Sequence, residues 1–260
     1  MPRHLWYSQF HVIAYDPRAA FFRPRQPLCD CEPGCFGAGR QVSCGGRPSS
    51  LSAVARFDAL YLANPSYYGK TVPRDFAGFL AGRSLSAHHC LDLGAGQGRH
   101  ALHLARAGAK VRAVDSSPVA MAQLSALAEA EGLEIITELA DVCTYVLPVE
   151  RYDLIVCSTI LDHLETPCRN RLGVEIAAAL KPGGVVYCEV FTIEDPGYLS
   201  QTGSGVSETA RPVRHYFRTG ELRNLFPAVT VLEYWEGLKQ DRAHGPWHWH
   251  GLALIVGIKV

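Results

Sequence analysis

The sequence predicts an α/β fold with a doubly wound, mostly parallel sheet, and three observations lead there. Short apolar runs alternate with helical patterns between about residues 90 and 191, the arrangement expected of parallel strands joined by crossover helices. A glycine-rich turn, Asp92-Leu-Gly94-Ala-Gly96-Gln-Gly98, joins the first of these runs to the first amphipathic helix. Two apolar runs with a short connection close the chain, which is the pattern of an antiparallel pair at a sheet edge.

The elements follow in order. Residues 1–52 show no sustained hydrophobic period and end near Gly-Gly-Arg-Pro-Ser-Ser, so they read as a poorly ordered leader before one globular domain, 53–260. Aromatic residues from Phe57 to Tyr68 lead into a helix through Phe76, Phe79 and Leu80. A strand at 90–93 precedes a helix with Ala101, Leu104 and Ala105 on one face, closed by Gly108. A strand at 111–114 precedes a helix opened by Ser117-Pro118, carrying Met121, Leu124 and Ala128, and closed by Gly132. Strands follow at 135–136, 154–156 and 185–187; between the last two lies a helix through Leu172, Ile176 and Leu180 that ends at Lys181-Pro-Gly-Gly184. Beyond Phe191 a polar segment runs to about 214, then a short helix near 221–225. Strands at 229–232 and 252–256 finish the domain, linked through His244-Gly-Pro-Trp-His-Trp-His250.

Composition narrows the function. With 260 residues, 48% of them hydrophobic, the chain can bury one sizeable core. Lysine plus arginine equals aspartate plus glutamate at 25 each, so no net field gathers nucleic acid or an anionic membrane. The expected partner is a small molecule, with neither nucleic acid nor membrane, and the expected state is a monomer or homodimer. No apolar run approaches the roughly 20 residues of a membrane span, and a cytoplasmic protein is expected. Of nine cysteines, Cys90, Cys143, Cys157, Cys168 and Cys188 fall in the globular pattern and read as packing thiols. Cys29, Cys31, Cys35 and Cys44 cluster in the leader, but without paired C-x2-C knuckles, and no metal is assigned to them.

The glycine turn carries the chemistry. Glycines at a strand-to-helix turn let backbone approach a ligand closely, and the helix N-terminus offers unpaired N–H groups. The third glycine follows the second by two residues, so G-x-G-x-G departs from the dinucleotide fingerprint G-x-G-x-x-G and weighs against a nicotinamide cofactor. Asp115 ends the next strand, where a carboxylate could accept from both hydroxyls of a ribose; the alternative is a helix cap. Asp141 stands at the corresponding edge of the third strand, either accepting from an adenine amine or serving as a solvated turn residue.

The D-x-G-x-G-x-G turn, the acidic end of the second strand, the Ala140-Asp141-Val142 step and the Leu180-Lys-Pro-Gly-Gly184 turn together resemble class I S-adenosylmethionine-dependent methyltransferases. The resemblance covers about residues 57–260. It implies a Rossmann-like, seven-stranded, mostly parallel sheet with an antiparallel last strand, and S-adenosyl-L-methionine as cofactor. It also implies a cofactor site of Asp92, Gly94, Ala95, Gly96, Gly98, Arg99, Asp115, Ser116, Asp141, Val142 and Ser158. Gly98-Arg99, the run Ser158-Thr-Ile-Leu-Asp-His-Leu-Glu165, Gly220-Glu-Leu-Arg223 and the closing pattern 252–259 are similar to the tellurite-resistance methyltransferase group. That likeness points to a thiol or a chalcogen oxyanion such as tellurite as methyl acceptor.

Methyl transfer from a sulfonium is an in-line displacement, so the protein chiefly aligns the reactants and excludes water. Thr159, Asp162 and His163, after the fourth strand, are expected to face the acceptor; His163 could equally be a structural histidine. His163, His244 and His248 are the candidate catalytic groups. His248 and His250 project to one side of an extended strand and could hold a metal, line the acceptor pocket beside Trp247 and Trp249, or serve the hairpin alone. No acidic or cysteine ligand adjoins them in sequence, and no metal is assigned. Arg211, Arg214 and Arg218, around Tyr216, could clamp an anionic acceptor or form a solvated basic loop. A nicotinamide-dependent oxidoreductase and a non-catalytic cofactor-binding regulator are the competing readings.

Overall fold

The computed structural model describes residues 53–199, 215–241 and 247–260, all within one compact unit, Leu51–Val260. The leader with its four cysteines, and His244, Arg211 and Arg214, lie outside the described residues. Two helices, α1 (Ala53–Ala63) and α2 (Arg74–Leu80), come first. The alternating body follows: β1 (His89–Leu93), α3 (Arg99–Arg106), β2 (Lys110–Asp115), α4 (Pro118–Glu131), β3 (Ile135–Leu139), β4 (Tyr152–Ser158), α5 (Thr166–Ala179) and β5 (Leu180–Phe191). Two short helices, α6 (Pro196–Leu199) and α7 (Glu221–Leu225), precede β6 (Thr230–Asp241) and β7 (His248–Ile258).

The seven strands form one sheet in the order β3-β2-β1-β4-β5-β7-β6. Pairings β1–β2, β2–β3, β1–β4 and β4–β5 are parallel, and β7 runs antiparallel to both β5 and β6. The predicted class therefore holds, including the antiparallel last strand. The strand order reverses between β1 and β4, and in open sheets a ligand crevice forms at the carboxyl ends of the strands at such a reversal.

Local chemistry explains the helix boundaries. The Ser117 hydroxyl caps α4 by accepting from the Ala120 amide at 3.1 Å, Pro118 opens its first turn, and Gly132 ends it in the left-handed region at φ 64°. Helix α3 has no such side-chain cap of its own. The carboxylate of Asp92, two strand residues before the glycine turn, accepts from the Ala101 amide at 3.0 Å instead. The Lys-Pro-Gly-Gly segment, expected as a turn ending a helix, belongs to β5: Leu180 pairs with Tyr152, the register shifts, and pairing resumes at Leu154 with Val185.

The central strands are apolar on both faces because helices cover both. Leu91, Leu93, Ile155, Cys157, Val186 and Cys188 join Leu172 and Ile176 of α5 in one buried cluster. Each fully buried Leu or Ile there contributes about 1.5–3 kcal/mol relative to exposure. Strands β6 and β7 are longer than the apolar runs predicted, since the outer half of β6 is lined with Glu233, Glu236, Lys239 and Gln240, the polar composition of an exposed edge.

Two of the presumed packing thiols are instead joined: Cys143, just after β3, and Cys168 of α5 form a disulfide, while Cys90, Cys157 and Cys188 are buried and free. Pairing across a separation of 25 residues left no local signal. Among the described residues, no helix is long and apolar enough to cross a membrane.

Close packing of α5 on α7 requires Gly173. A Cβ built there would lie 2.4 Å from the Leu225 carbonyl oxygen, and backbone cannot swing aside. Gly173→Ala gains about 1 kcal/mol of helix propensity but forces an overpacking cost of roughly 1–3 kcal/mol. A net fall in thermal midpoint of a few degrees is expected in a calorimetric scan.

Candidate active site

The glycine turn is built by backbone strain that only glycine relieves. Gly94, Gly96 and Gly98 have φ of 71°, 51° and 84°. The Gly94 and Ala95 amides donate to the Val114 carbonyl at 2.8 and 3.1 Å, tying the turn to the end of β2. A Cβ at Gly94 would sit 2.6 Å from the Ile160 side chain, and one at Gly98 would sit 2.2 Å from Leu124. The turn is therefore held open on one side and packed on the other.

Asp115 completes it. One carboxylate oxygen accepts from the Gly96 amide and the other from the Ser117 amide, both at 2.8 Å. Burial raises its pKa, while the amides of Ser117, Gly96 and Ser116 pull the other way by favouring the anion. The carboxylate also lines the cavity, where the acceptor capacity its amide partners leave is open to a ligand. Asp92, expected in the cofactor site, is only 1% exposed and does not reach the cavity. Its burial pushes its carboxyl up to about 7, and its amide partner supports α3 from beneath.

A cavity of about 990 Å³ opens at this turn. Its walls include Gly94, Ala95, Gly96, Arg99, Asp115, Ser116, Asp141, Val142 and Ser158, which brings nine of the predicted cofactor residues to one space. Asp92 and Gly98 stand behind it. Asp141 is exposed and accepts from the Cys143 amide at 2.8 Å, a local turn contact that leaves its other oxygen toward solvent.

The segment before β1, whose role in the site sequence reasoning missed, forms the opposite wall: Val54, Phe57, Tyr61 and Tyr68 all line the cavity. Gln97 anchors that wall. Its side-chain amide donates to the Asn64 carbonyl and to Gln123, both at 2.8 Å, and its oxygen accepts from the Tyr67 amide at 2.7 Å. Arg99 donates to the Tyr68 carbonyl at 3.1 Å, and the Ser117 hydroxyl donates to Asp58 of α1. Burial holds the Tyr61 phenol well above its ordinary pKa, so it is a neutral donor and no base. A dense aromatic run before the first strand was the available signal.

On the acceptor side, Thr159, Ile160 and His163 line the cavity. Thr159 sits at φ 51°, a strained conformation for a β-branched residue, with its amide donating to the Glu189 carbonyl at 2.7 Å. The His163 ring meets Phe57 edge-on at 5.3 Å between centroids. Asp162 differs from its expected position: it is fully buried beneath this turn and does not line the cavity. His248 likewise lies elsewhere, at the start of β7, and forms no part of the cavity wall. Arg218 is exposed, and it too stands apart from the cavity.

A glycine cradle, a paired-acceptor carboxylate at the end of the second strand, and a deep crevice at the strand-order reversal define a Rossmann-like domain with a candidate nucleoside-cofactor site. Residues 90–184 match the family model described as a methyltransferase domain. Relatives match part of the chain. Hemagglutinin 1 of Eikenella corrodens is 31% identical over 160 residues, covering 61% of this chain and 47% of that protein. Ubiquinone biosynthesis O-methyltransferase of Coxiella burnetii is 31% identical over 116 residues, covering 45% of this chain and 49% of the relative. The matches thus span about half the length of these relatives. The crystal structure of TehB from Haemophilus influenzae superposes with a TM-score of 0.61 at 22% identity, over 79% of this chain and 68% of that one, which is a likeness of fold.

The residues present fit S-adenosylmethionine. A Cβ at Gly96 would lie 3.0 Å from the Tyr61 hydroxyl across the cavity, so side chains are kept out of the space above the turn. Asp115 presents a carboxylate to the cavity, and the cavity is large enough for a nucleoside with an amino-acid side chain.

Proposed function

We propose that this chain transfers a methyl group from S-adenosylmethionine to a small molecule with a soft nucleophile, a thiol or a chalcogen oxyanion such as tellurite. The observation that carries the cofactor assignment is the Asp115 carboxylate, held by the Gly96 and Ser117 amides at the cavity edge. In this reading Asp115 accepts from both ribose hydroxyls, the 94–96 backbone lies against the amino-acid end, and Asp141 with Val142 borders the adenine. Bound there, S-adenosylmethionine would supply an electrophilic methyl on a sulfonium: the acceptor lone pair would form the new bond, and the sulfur would keep the old bonding pair and become neutral. A soft anion needs no base for this step, and the aromatic wall of Phe57, Tyr61 and Tyr68 supports the reading by excluding water from the line of transfer.

An oxygen acceptor is the second reading, favoured by the place of His163 on the cavity wall and by the O-methyltransferase relative. A hydroxyl must lose its proton, and His163 is the imidazole positioned to take it.

Calorimetric titration separates these readings from their rivals. S-adenosylhomocysteine is expected to bind with micromolar affinity and NADH not at all; the reverse would replace the methyltransferase with an oxidoreductase, and cofactor binding without turnover on any acceptor would leave a regulator. With turnover on thiols, tellurite and catechols compared, His163→Gln should leave the soft acceptors within about threefold. It should slow a hydroxyl acceptor by about 100-fold, the usual worth of a general base.

A further inference from the structure

Apart from the residues that line the cofactor crevice, the β6–β7 hairpin brings together three side chains that sequence alone keeps apart. Asp241, the last residue of β6, is the direct cross-strand partner of His248, so both side chains share one face; His250, two residues on, shares it as well. A donor atom from each of the three lies within 4.8 Å of the other two. The Nε2 atoms of His248 and His250 face each other at 2.9 Å. Two imidazoles converging through the same ring nitrogen gain most when both lone pairs meet one cation.

The support behind them is that of a built site. His250 is 6% exposed, and its Nδ1 lies 2.9 Å from an oxygen of Asp195, which is 2% exposed. That oxygen also accepts from the Gly251 amide at 3.1 Å, and the other oxygen accepts from the Gly197 amide at 2.7 Å. With two amides already on it, the carboxylate is the acceptor, so the proton resides on His250 Nδ1 and the Nε2 lone pair points toward His248. A carboxylate fixing the tautomer of a ligating histidine is the usual outer shell of a metal site. Gly251 makes the approach possible, since a Cβ there would lie 2.2 Å from the Asp195 amide nitrogen.

We propose that Asp241, His248 and His250 form a Zn2+ site where β6 ends and β7 begins, oriented by Asp195. Two nitrogens and one carboxylate suit a borderline cation rather than Mg2+ or Ca2+, which take oxygen. At Zn–N distances of about 2.0–2.1 Å, tetrahedral ligands stand roughly 3.3 Å apart, so a small opening of the observed pair accommodates the ion. Among the described residues, three protein donors reach the ion. The site does not depend on the methyltransferase reading.

The test is titration of the chelator-treated full-length protein with Zn2+ alone, in a background with Cys29, Cys31, Cys35 and Cys44 changed to serine so that leader thiolates cannot contribute. One equivalent is expected to bind at micromolar affinity or tighter. His248→Ala and Asp241→Asn should each weaken it at least tenfold, and Asp195→Asn, which touches no metal, by 10- to 100-fold. Co2+ in place of Zn2+ should give visible ligand-field bands that vanish in His248→Ala. No saturable binding, or binding that neither Asp241→Asn nor His248→Ala weakens, overturns the site. Should His248→Ala fail to fold, Asp241→Asn at its half-buried strand end carries the same decision.

Discussion

Asp115→Ala will weaken S-adenosylhomocysteine binding by roughly 10- to 150-fold, the equivalent of about 1.5–3 kcal/mol for hydrogen bonds to a charged group. The carboxylate works in two directions. Inward, it receives the Gly96 and Ser117 amides at 2.8 Å and so fixes both the glycine turn and the start of α4. Outward, in the proposed reading, it accepts from the ribose hydroxyls. Alanine removes both functions, whereas Asp115→Asn keeps one acceptor and should fall between the two. Calorimetry on protein shown by circular dichroism to be folded decides the matter. Unchanged affinity in Asp115→Ala would remove the ribose from this position and with it the proposed orientation of the cofactor.

Such a prediction is available because the cofactor turn is written locally. Asp92, the three glycines and Asp115 lie within 24 positions of one another in the chain, on one strand-turn-helix-strand unit. Their residue types alone dictate a tight turn with a carboxylate at the next strand end. The parallel sheet is legible for the same reason, since each crossover writes its own start and stop, such as Ser117-Pro118 and Gly132 around α4. What the sequence hides is contact across the chain. Nothing around Cys143 announces Cys168, and nothing around Phe57 announces that its ring will meet His163. His248 and His250 look bare of acidic neighbours until the hairpin register sets Asp241 opposite one and a distant turn sets Asp195 behind the other.

Asp92 shows a subtler failure. The residue type and position suggested a cofactor ligand, yet its carboxylate faces inward and caps α3. Local pattern identifies where a carboxylate is needed; only packing decides which way it points. Asp162 is the same case on the acceptor side, taken from sequence as a wall of the pocket and found sealed beneath it.

The burial of Asp162 has a large energetic consequence. Its carboxyl is fully buried and makes no well-formed hydrogen bond, and burial pushes its pKa up to about 8, only partly offset by the nearby amides of Asp162 and Phe191. In the unfolded chain the same group titrates near 3.9. Between these values the unfolded chain has released the proton and the folded protein still holds it, so this group's contribution to stability is full below about pH 4 and is lost as pH rises toward 8. Asp162→Asn abolishes that dependence while preserving shape. The stability of the variant relative to the parent should therefore rise by about 1.4 kcal/mol per pH unit between pH 5 and 7, measured by urea unfolding at each pH. Any fixed cost of burying the asparagine amide shifts the whole line without changing its slope. Asp92, whose carboxyl is also raised, to about 7, is present in both proteins and cancels in the difference. A flat difference would show that the Asp162 carboxylate is ionised in the folded state at neutral pH. The Phe191 and Asp162 amides would then have to close on it, and the turn presenting Ile160 and His163 to the cavity would rest on a buried anion rather than a neutral acid.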